Sequence, residues 1–174
     1  MKRERHKTKQ QPERQRTIPG RPRADQFATS EEGGTLVETA VVLPILLLII
    51  TGIFTFGIAL NNYIVLTDAV GISARTLAIS RQANTDPCAA TVSVFYAAAP
   101  NLKTANLSFT FVLNGTTYTG TTCSSSSTTT GAAGNLQQGK NAQLTVTYPC
   151  NLAVYGTNFA PSCTLSSQTT EIVQ

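Results

Sequence analysis

Between Glu38 and Asp68 the chain carries no charged side chain for 29 residues, and this gap constrains its folding more than any other feature. Residues 40–60 read AVVLPILLLIITGIFTFGIAL, with two threonines as the only hydroxyls and no ionisable group. As a helix rising about 1.5 Å per residue, that segment is long enough to cross roughly 30 Å of hydrocarbon. A helix of this length in a soluble protein keeps a polar face toward water, and this segment has none. With so much of a 174-residue chain withdrawn from any soluble core, what is left suffices for one small domain.

Positive charge is concentrated ahead of this helix. Nine of the thirteen lysines and arginines (Lys2, Arg3, Arg5, Lys7, Lys9, Arg14, Arg16, Arg21, Arg23) precede Gly33, against the five acids Glu4, Glu13, Asp25, Glu31 and Glu32, and this surplus is the whole formal net charge of +4. From Gly34 onward four bases face four acids. A Lys/Arg-rich segment directly before an apolar helix is retained on the cytoplasmic side during insertion, which predicts a cytoplasmic N-terminus and a single pass. The tail is rich in Gln, Pro and Arg and is expected to be disordered. Its one aromatic is Phe27, and it offers no folded platform for stacking bases, so nucleic acid is not expected as a partner.

Pro44 removes one backbone hydrogen bond in the first third of the apolar segment and predicts a helix kink there. Gly52 and Gly57 are small positions at which another helix can approach closely. A cleaved secretory signal shares the basic start and the apolar stretch, but its apolar part spans only about 7 to 15 residues. No small-x-small cut site with a turn follows here. Instead the sequence runs on as YIVLTDAVGISARTLAIS, which sets Leu66, Ala69, Val70, Ser73, Ala74 and Leu77 at helical spacing as an amphipathic stripe. The reading is one helix over residues 35–80, about 65 to 70 Å long, membrane-apolar in its first half and amphipathic in its second.

This pattern resembles the TadE-like family of pseudopilins, of the tight-adherence (Flp pilus) branch of type IV pilus machinery. The residues that carry the likeness are GGTLVETAVVLPILL from Gly33, then GIFTFG from Gly52, then TDAVGISAR from Thr67. The resemblance implies a prepilin peptidase that cuts on the cytoplasmic side between Gly33 and Gly34, leaving Glu38 as the fifth residue of the mature chain. It also implies that Glu38 sets assembly register by pairing with the freed amine of a neighbouring subunit. The implied partners are that peptidase, other pilin-like subunits, the pilus assembly machinery and the lipid bilayer. The chain departs from the family pattern at Thr39, where an aromatic commonly follows the glutamate. Read from physical chemistry alone, a carboxylate near a bilayer is costly and needs a partner. The competing reading of Glu38 is an acid in the first helical turn, favoured by the macrodipole.

After Ser80 the composition turns to Thr, Ser, Asn and Gly with few charges. Asp86-Pro87-Cys88 is expected to end any helix, and the remainder reads as an exported β-rich head. Residues 106–113 (NLSFTFVL) alternate and lead into Asn114-Gly115, a strong hairpin signal, with TTYT following. Residues 142–148 (AQLTVTY) alternate as well, placing Leu144, Val146 and Tyr148 on one face. A short last strand is expected over residues 169–173. Residues 120–134, a Thr/Ser/Gly/Ala tract, read as a mobile surface loop. Asn114-Gly115-Thr116 also matches a glycosylation acceptor, but a hairpin turn explains it without further assumptions.

Four cysteines, Cys88, Cys123, Cys150 and Cys163, all follow the apolar segment. An even number in a small exported head predicts two disulfides and an oxidising compartment. Of three connectivities the local one is favoured, Cys88 with Cys123 and Cys150 with Cys163. No C-x-x-C pair occurs and the one histidine, His6, lies in the tail, so no metal site is expected. Beyond the apolar segment the acids are Asp68, Asp86 and Glu171, with no histidine to act as base. The serines at 124–127 lack an activating partner, and no Gly-rich phosphate loop is present. No catalytic residue, cofactor or enzymatic activity is expected.

The sequence therefore predicts an α+β protein: a long N-terminal transmembrane helix continuing as an amphipathic helix, then a small disulfide-stapled antiparallel β head. Its divisions are a basic cytoplasmic leader (1–33), the helix (34–82) and a periplasmic or extracellular head (83–174), anchored in the inner (cytoplasmic) membrane. The resemblance implies a minor pseudopilin or assembly factor of a tight-adherence pilus or secretion system. The alternative is a membrane-anchored binding or adhesive domain that never joins a filament.

Overall fold

The computed structural model describes residues 31–154 and 156–174; the expected leader lies outside the described residues as far as residue 30. The first element is helix α1, Glu31–Ile79, 49 residues long. Among the described residues the chain divides by packing after Pro44, so the amphipathic half of α1 belongs to the same unit as the head.

Leu66, Ala69, Val70, Ser73, Ala74, Leu77 and Ala78 of α1 are buried. They recur at the three- and four-residue steps that line one face of a helix, which is the amphipathic stripe expected from the sequence. The helix stops at Ile79, where the Ser80 hydroxyl donates to the Leu77 carbonyl at 2.8 Å and Gln82 takes a left-handed φ of 60°. The far end of the chain is tied to the same place: Val173 is buried, and the Gln174 amide donates to the Ala78 carbonyl at 3.3 Å.

Asp86-Pro87 opens a helix instead of closing one. Helix α2 covers Pro87–Ala98, an element not expected within the β-rich head. Proline at the first helical position loses no hydrogen bond, because that N–H has no intrahelical partner. Asp86 is the N-cap, its Oδ1 accepting from the Ala89 amide at 2.9 Å. The same oxygen accepts from the Cys123 amide at 3.0 Å, so one carboxylate ties the start of α2 to the Cys88–Cys123 bridge. Cys88, Thr91, Val92 and Phe95 are buried, again on one helical face.

Among the described residues six strands follow: β1 Ser108–Leu113, β2 Thr116–Thr119, β3 Asn141–Pro149, β4 Ala153–Val154, β5 Thr157–Asn158 and β6 Thr164–Ile172. Four form one antiparallel sheet in the order β2-β1-β3-β6, and β4 and β5 pair as a separate small hairpin. The Asn114-Gly115 turn joins β1 to β2 with φ of 49° and 83°, the left-handed pair that a two-residue hairpin needs. Phe109, Phe111 and Leu113 of β1 and Leu144, Val146 and Tyr148 of β3 are buried on one face against α1 and α2, with Phe95 and Phe109 edge to face at 5.2 Å. The other face is polar, carrying cross-strand pairs such as Gln143 with Thr170 and Thr145 with Gln168. The last strand is longer than the expected 169–173, because β3 pairs with it through nine residues.

The tract over residues 120–134 is not wholly a surface loop. It runs into a short helix α3, Gly131–Asn135, whose Ala132 and Ala133 are buried. Ser125 donates its amide to the Thr85 carbonyl at 2.8 Å, and its hydroxyl accepts from the Ala133 amide at 3.1 Å. Both expected disulfides are present, Cys88–Cys123 with Cα atoms 5.4 Å apart and Cys150–Cys163 with Cα atoms 5.3 Å apart.

Two substitutions test this packing in detergent-solubilised protein by urea unfolding. Asp86→Ala removes a helix cap and strands the Cys123 amide, and is expected to cost about 2 kcal/mol, with Asp86→Asn milder. At Gly134 an added Cβ would overlap the Thr129 carbonyl oxygen, so Gly134→Ala is expected to destabilise by roughly 1 to 3 kcal/mol. Unchanged unfolding midpoints for both would show the segment to be slack.

Candidate functional site

The part of the molecule whose surface demands a partner is the first half of α1. From Leu36 to Leu60 its large aliphatic and aromatic side chains are exposed, among them Ile53, Phe54 and Phe56. The most apolar window of the helix has none of its residues buried, and α1 is long and apolar enough to cross a membrane.

Its polar groups are dealt with inside the helix. The Thr51 hydroxyl donates to the Leu47 carbonyl at 2.8 Å, Thr55 to Gly52 at 3.0 Å, and Thr39 to Thr35 at 2.8 Å. Back-bonding of this kind leaves no hydroxyl in need of water, as a hydrocarbon surrounding requires. Pro44 lies inside the helix and has no N–H for the Ala40 carbonyl. At Gly52 and Gly57 an added Cβ would meet nothing within 4 Å, so no contact among the described residues accounts for either glycine.

Gly33 and Gly34 lie within the first turn of α1. Each glycine weakens a helix by about 1 kcal/mol relative to alanine, so this turn unwinds more readily than the aliphatic segment after it. Glu38 is exposed and stands two turns into α1. The macrodipole acts within roughly the first turn, so it does not account for a carboxylate at this depth. No lysine or arginine occurs between Arg23 and Arg75, so the long helix itself supplies no cation to Glu38.

The acids of the head have other surroundings. Asp68 and Arg75 of α1 and Glu171 of β6 line one shallow cleft with Thr67, Gly71, Ile72 and Thr169, which holds no histidine, cysteine or lysine. Asp86, Cys88 and Cys123 bring potential metal donors within 4.8 Å. The two sulfurs are bonded to each other and the carboxylate already accepts two amides, so the group is a structural clamp. Asp86 was open to recognition from sequence, since Asp-Pro before an apolar residue is a helix-start signal.

Comparison with known proteins agrees with this division of the chain. Residues 33–75 match the family model of TadE-like proteins, about a quarter of the chain. The match begins at the glycine pair, takes in the whole apolar run and ends at Arg75, within the buried stripe. No curated protein and no solved structure matches the chain.

The two halves of α1 should respond differently to truncation. Leu66→Ala is expected to destabilise the solubilised head by about 2 to 5 kcal/mol. Ile53→Ala should leave its urea midpoint unchanged, because that side chain is exposed. Equal effects at both positions would mean that the apolar run packs on the head.

Proposed function

We propose that this protein is a minor pseudopilin or assembly factor of a tight-adherence pilus or related secretion system, and that it works by helix packing and surface contact without catalysis. Its N-terminus is cytoplasmic, α1 crosses the inner membrane, and the disulfide-bonded head lies in the periplasm or outside the cell. A prepilin peptidase cuts between Gly33 and Gly34, and Glu38 then pairs with the amine of a neighbouring subunit's first residue to set axial register. Pro44 bends the helix where it packs among those neighbours.

The observation that carries this reading is the coupling of two surfaces in one helix. The run up to Leu60 is apolar on every side and exposed, and the same helix then buries Leu66, Val70, Ala74 and Leu77 in the head. A helix built this way moves the head with it when its apolar half is drawn into a bundle of like helices. The TadE-like match over residues 33–75 supports the pilus context, and the net charge of +4 carried ahead of Gly33 supports the orientation.

Two measurements test it. Intact-mass analysis after co-expression with a prepilin peptidase should give a chain that starts at Gly34, and Gly33→Leu should keep the leader. Glu38→Gln should still be cleaved yet lower pilus yield at least tenfold. Retention of residues 1–33 together with normal piliation by Glu38→Gln would leave an anchored binding domain as the better description.

A further inference from the structure

The direction of the chain in the head fixes which of its ends faces the apolar run. Gln174, just past β6, bonds to Ala78 near the end of α1. Strand β3 pairs antiparallel with β6, Asn141 opposite Ile172 and Pro149 opposite Thr164. The β3-to-β6 connection must therefore return to the other end of the head, beside the turns of α1 that leave the apolar run. A cleft confirms the juxtaposition: Ile58, Ala59 and Asn62 of α1 line it together with Lys103, Pro149 and Asn151.

That connection, residues 150–163, reads CNLAVYGTNFAPSC and has no charged residue. The Cys150–Cys163 bridge closes it, the β4–β5 hairpin stiffens it, and the Phe159 amide donates to the Leu152 carbonyl at 3.1 Å. Even so, Phe159 is 73% exposed, while Leu152 and Val154 are only partly covered. Lys103, also exposed, flanks the loop in the same cleft.

We propose that this disulfide-closed loop is a second membrane contact. It seats Phe159 at the boundary between headgroups and acyl chains of the bilayer that α1 crosses, with Lys103 directed to lipid phosphates. The proposal rests on α1 spanning a bilayer. Given that, Asn61 and Asn62, the first polar side chains after the apolar run, set the level of the water interface, and the loop sits at that level. A ring at headgroup depth beside a long basic side chain is a favourable interfacial pair. Because α1 already holds the head there, the loop meets lipid at high effective concentration, whereas a second copy must first be recruited.

The chain contains no tryptophan, so Phe159→Trp is a single-site reporter. The full chain carrying it is reconstituted in phosphatidylcholine–phosphatidylglycerol vesicles, with lipids brominated at shallow or deep acyl positions, at high and low protein-to-lipid ratio. Phe54→Trp reports on the apolar run and Thr117→Trp on the opposite end of the head. The expected result is blue-shifted Phe159→Trp emission, quenched at least half as strongly as Phe54→Trp, more by shallow than by deep bromine, and equally at both ratios. Quenching of Phe54→Trp alone, with Phe159→Trp as accessible as Thr117→Trp, overturns the loop contact and leaves the spanning helix intact. No quenching of Phe54→Trp removes the spanning premise and the proposal with it. A blue shift without bromine quenching that is lost at low protein-to-lipid ratio assigns the loop to a second copy and also overturns it.

Discussion

Everything in this molecule depends on a single helix that presents two different surfaces. Up to Leu60 its side chains are apolar all round and exposed, and its threonines bond back to its own carbonyls. From Leu66 onward the helix becomes one-sided and its stripe is the floor of the head's core. The change comes without an interruption in the backbone, since α1 continues to Ile79. A hinge at the junction would decouple the head from the apolar run. Burial of Leu66, Val70 and Leu77, each contributing on the order of 1.5 to 3 kcal/mol, holds the second half of α1 to the head.

The head is small and is held at both ends. At the end near the α1 C-terminus, Asp86, the Cys88–Cys123 bridge and the Gln174 amide gather the start of α2, the tract before α3 and the chain terminus. At the opposite end the Cys150–Cys163 bridge pins the connection from β3 to β6. Between them lies a single layer of sheet with two helices on one face. A domain of this size buries a modest fraction of its surface, and cross-links that restrict the unfolded chain contribute about 2 to 4 kcal/mol each. The polar outer face of the sheet needs no cover, as its cross-strand Gln–Thr pairs are compatible with water.

How much was legible in the sequence depended on whether the signal was local. The apolar run, the stripe from Leu66 to Leu77 and the Asn114-Gly115 hairpin are each written in a few neighbouring residues, and all three are present. Helix α2 was misjudged because Asp-Pro both stops one helix and starts the next; the buried set Cys88, Thr91, Val92 and Phe95 carries the helical period that decides between them. Helix α3 could not be read from a Ser/Thr/Gly tract, since Ser125 and Thr129, outside the helix, shape it. Most of β6 was missed because TLSSQTTEI is polar on both faces, and its strand identity comes from pairing with β3. The glycine pair and Glu38 stand out in the sequence because they interrupt the approach to an otherwise aliphatic run.

Glu38 illustrates why that approach matters. With residues 1–33 attached it lies two turns inside α1, beyond the reach of the helix dipole, and the nearest bases in sequence are Arg23 before it and Arg75 after it. Removal of residues 1–33 would change both conditions together. The helix would then begin at Gly34, moving Glu38 close to its positive end, and a new amine would appear four residues, about 6 Å along the axis, from the carboxylate. That amine can serve its own Glu38 within one chain, or that of a neighbour displaced by roughly one helical turn. Pairing within the chain fixes no register, so a register role requires neighbouring helices to approach closely enough for the exchange. Gly52 and Gly57, which no contact among the described residues explains, are where such an approach costs least.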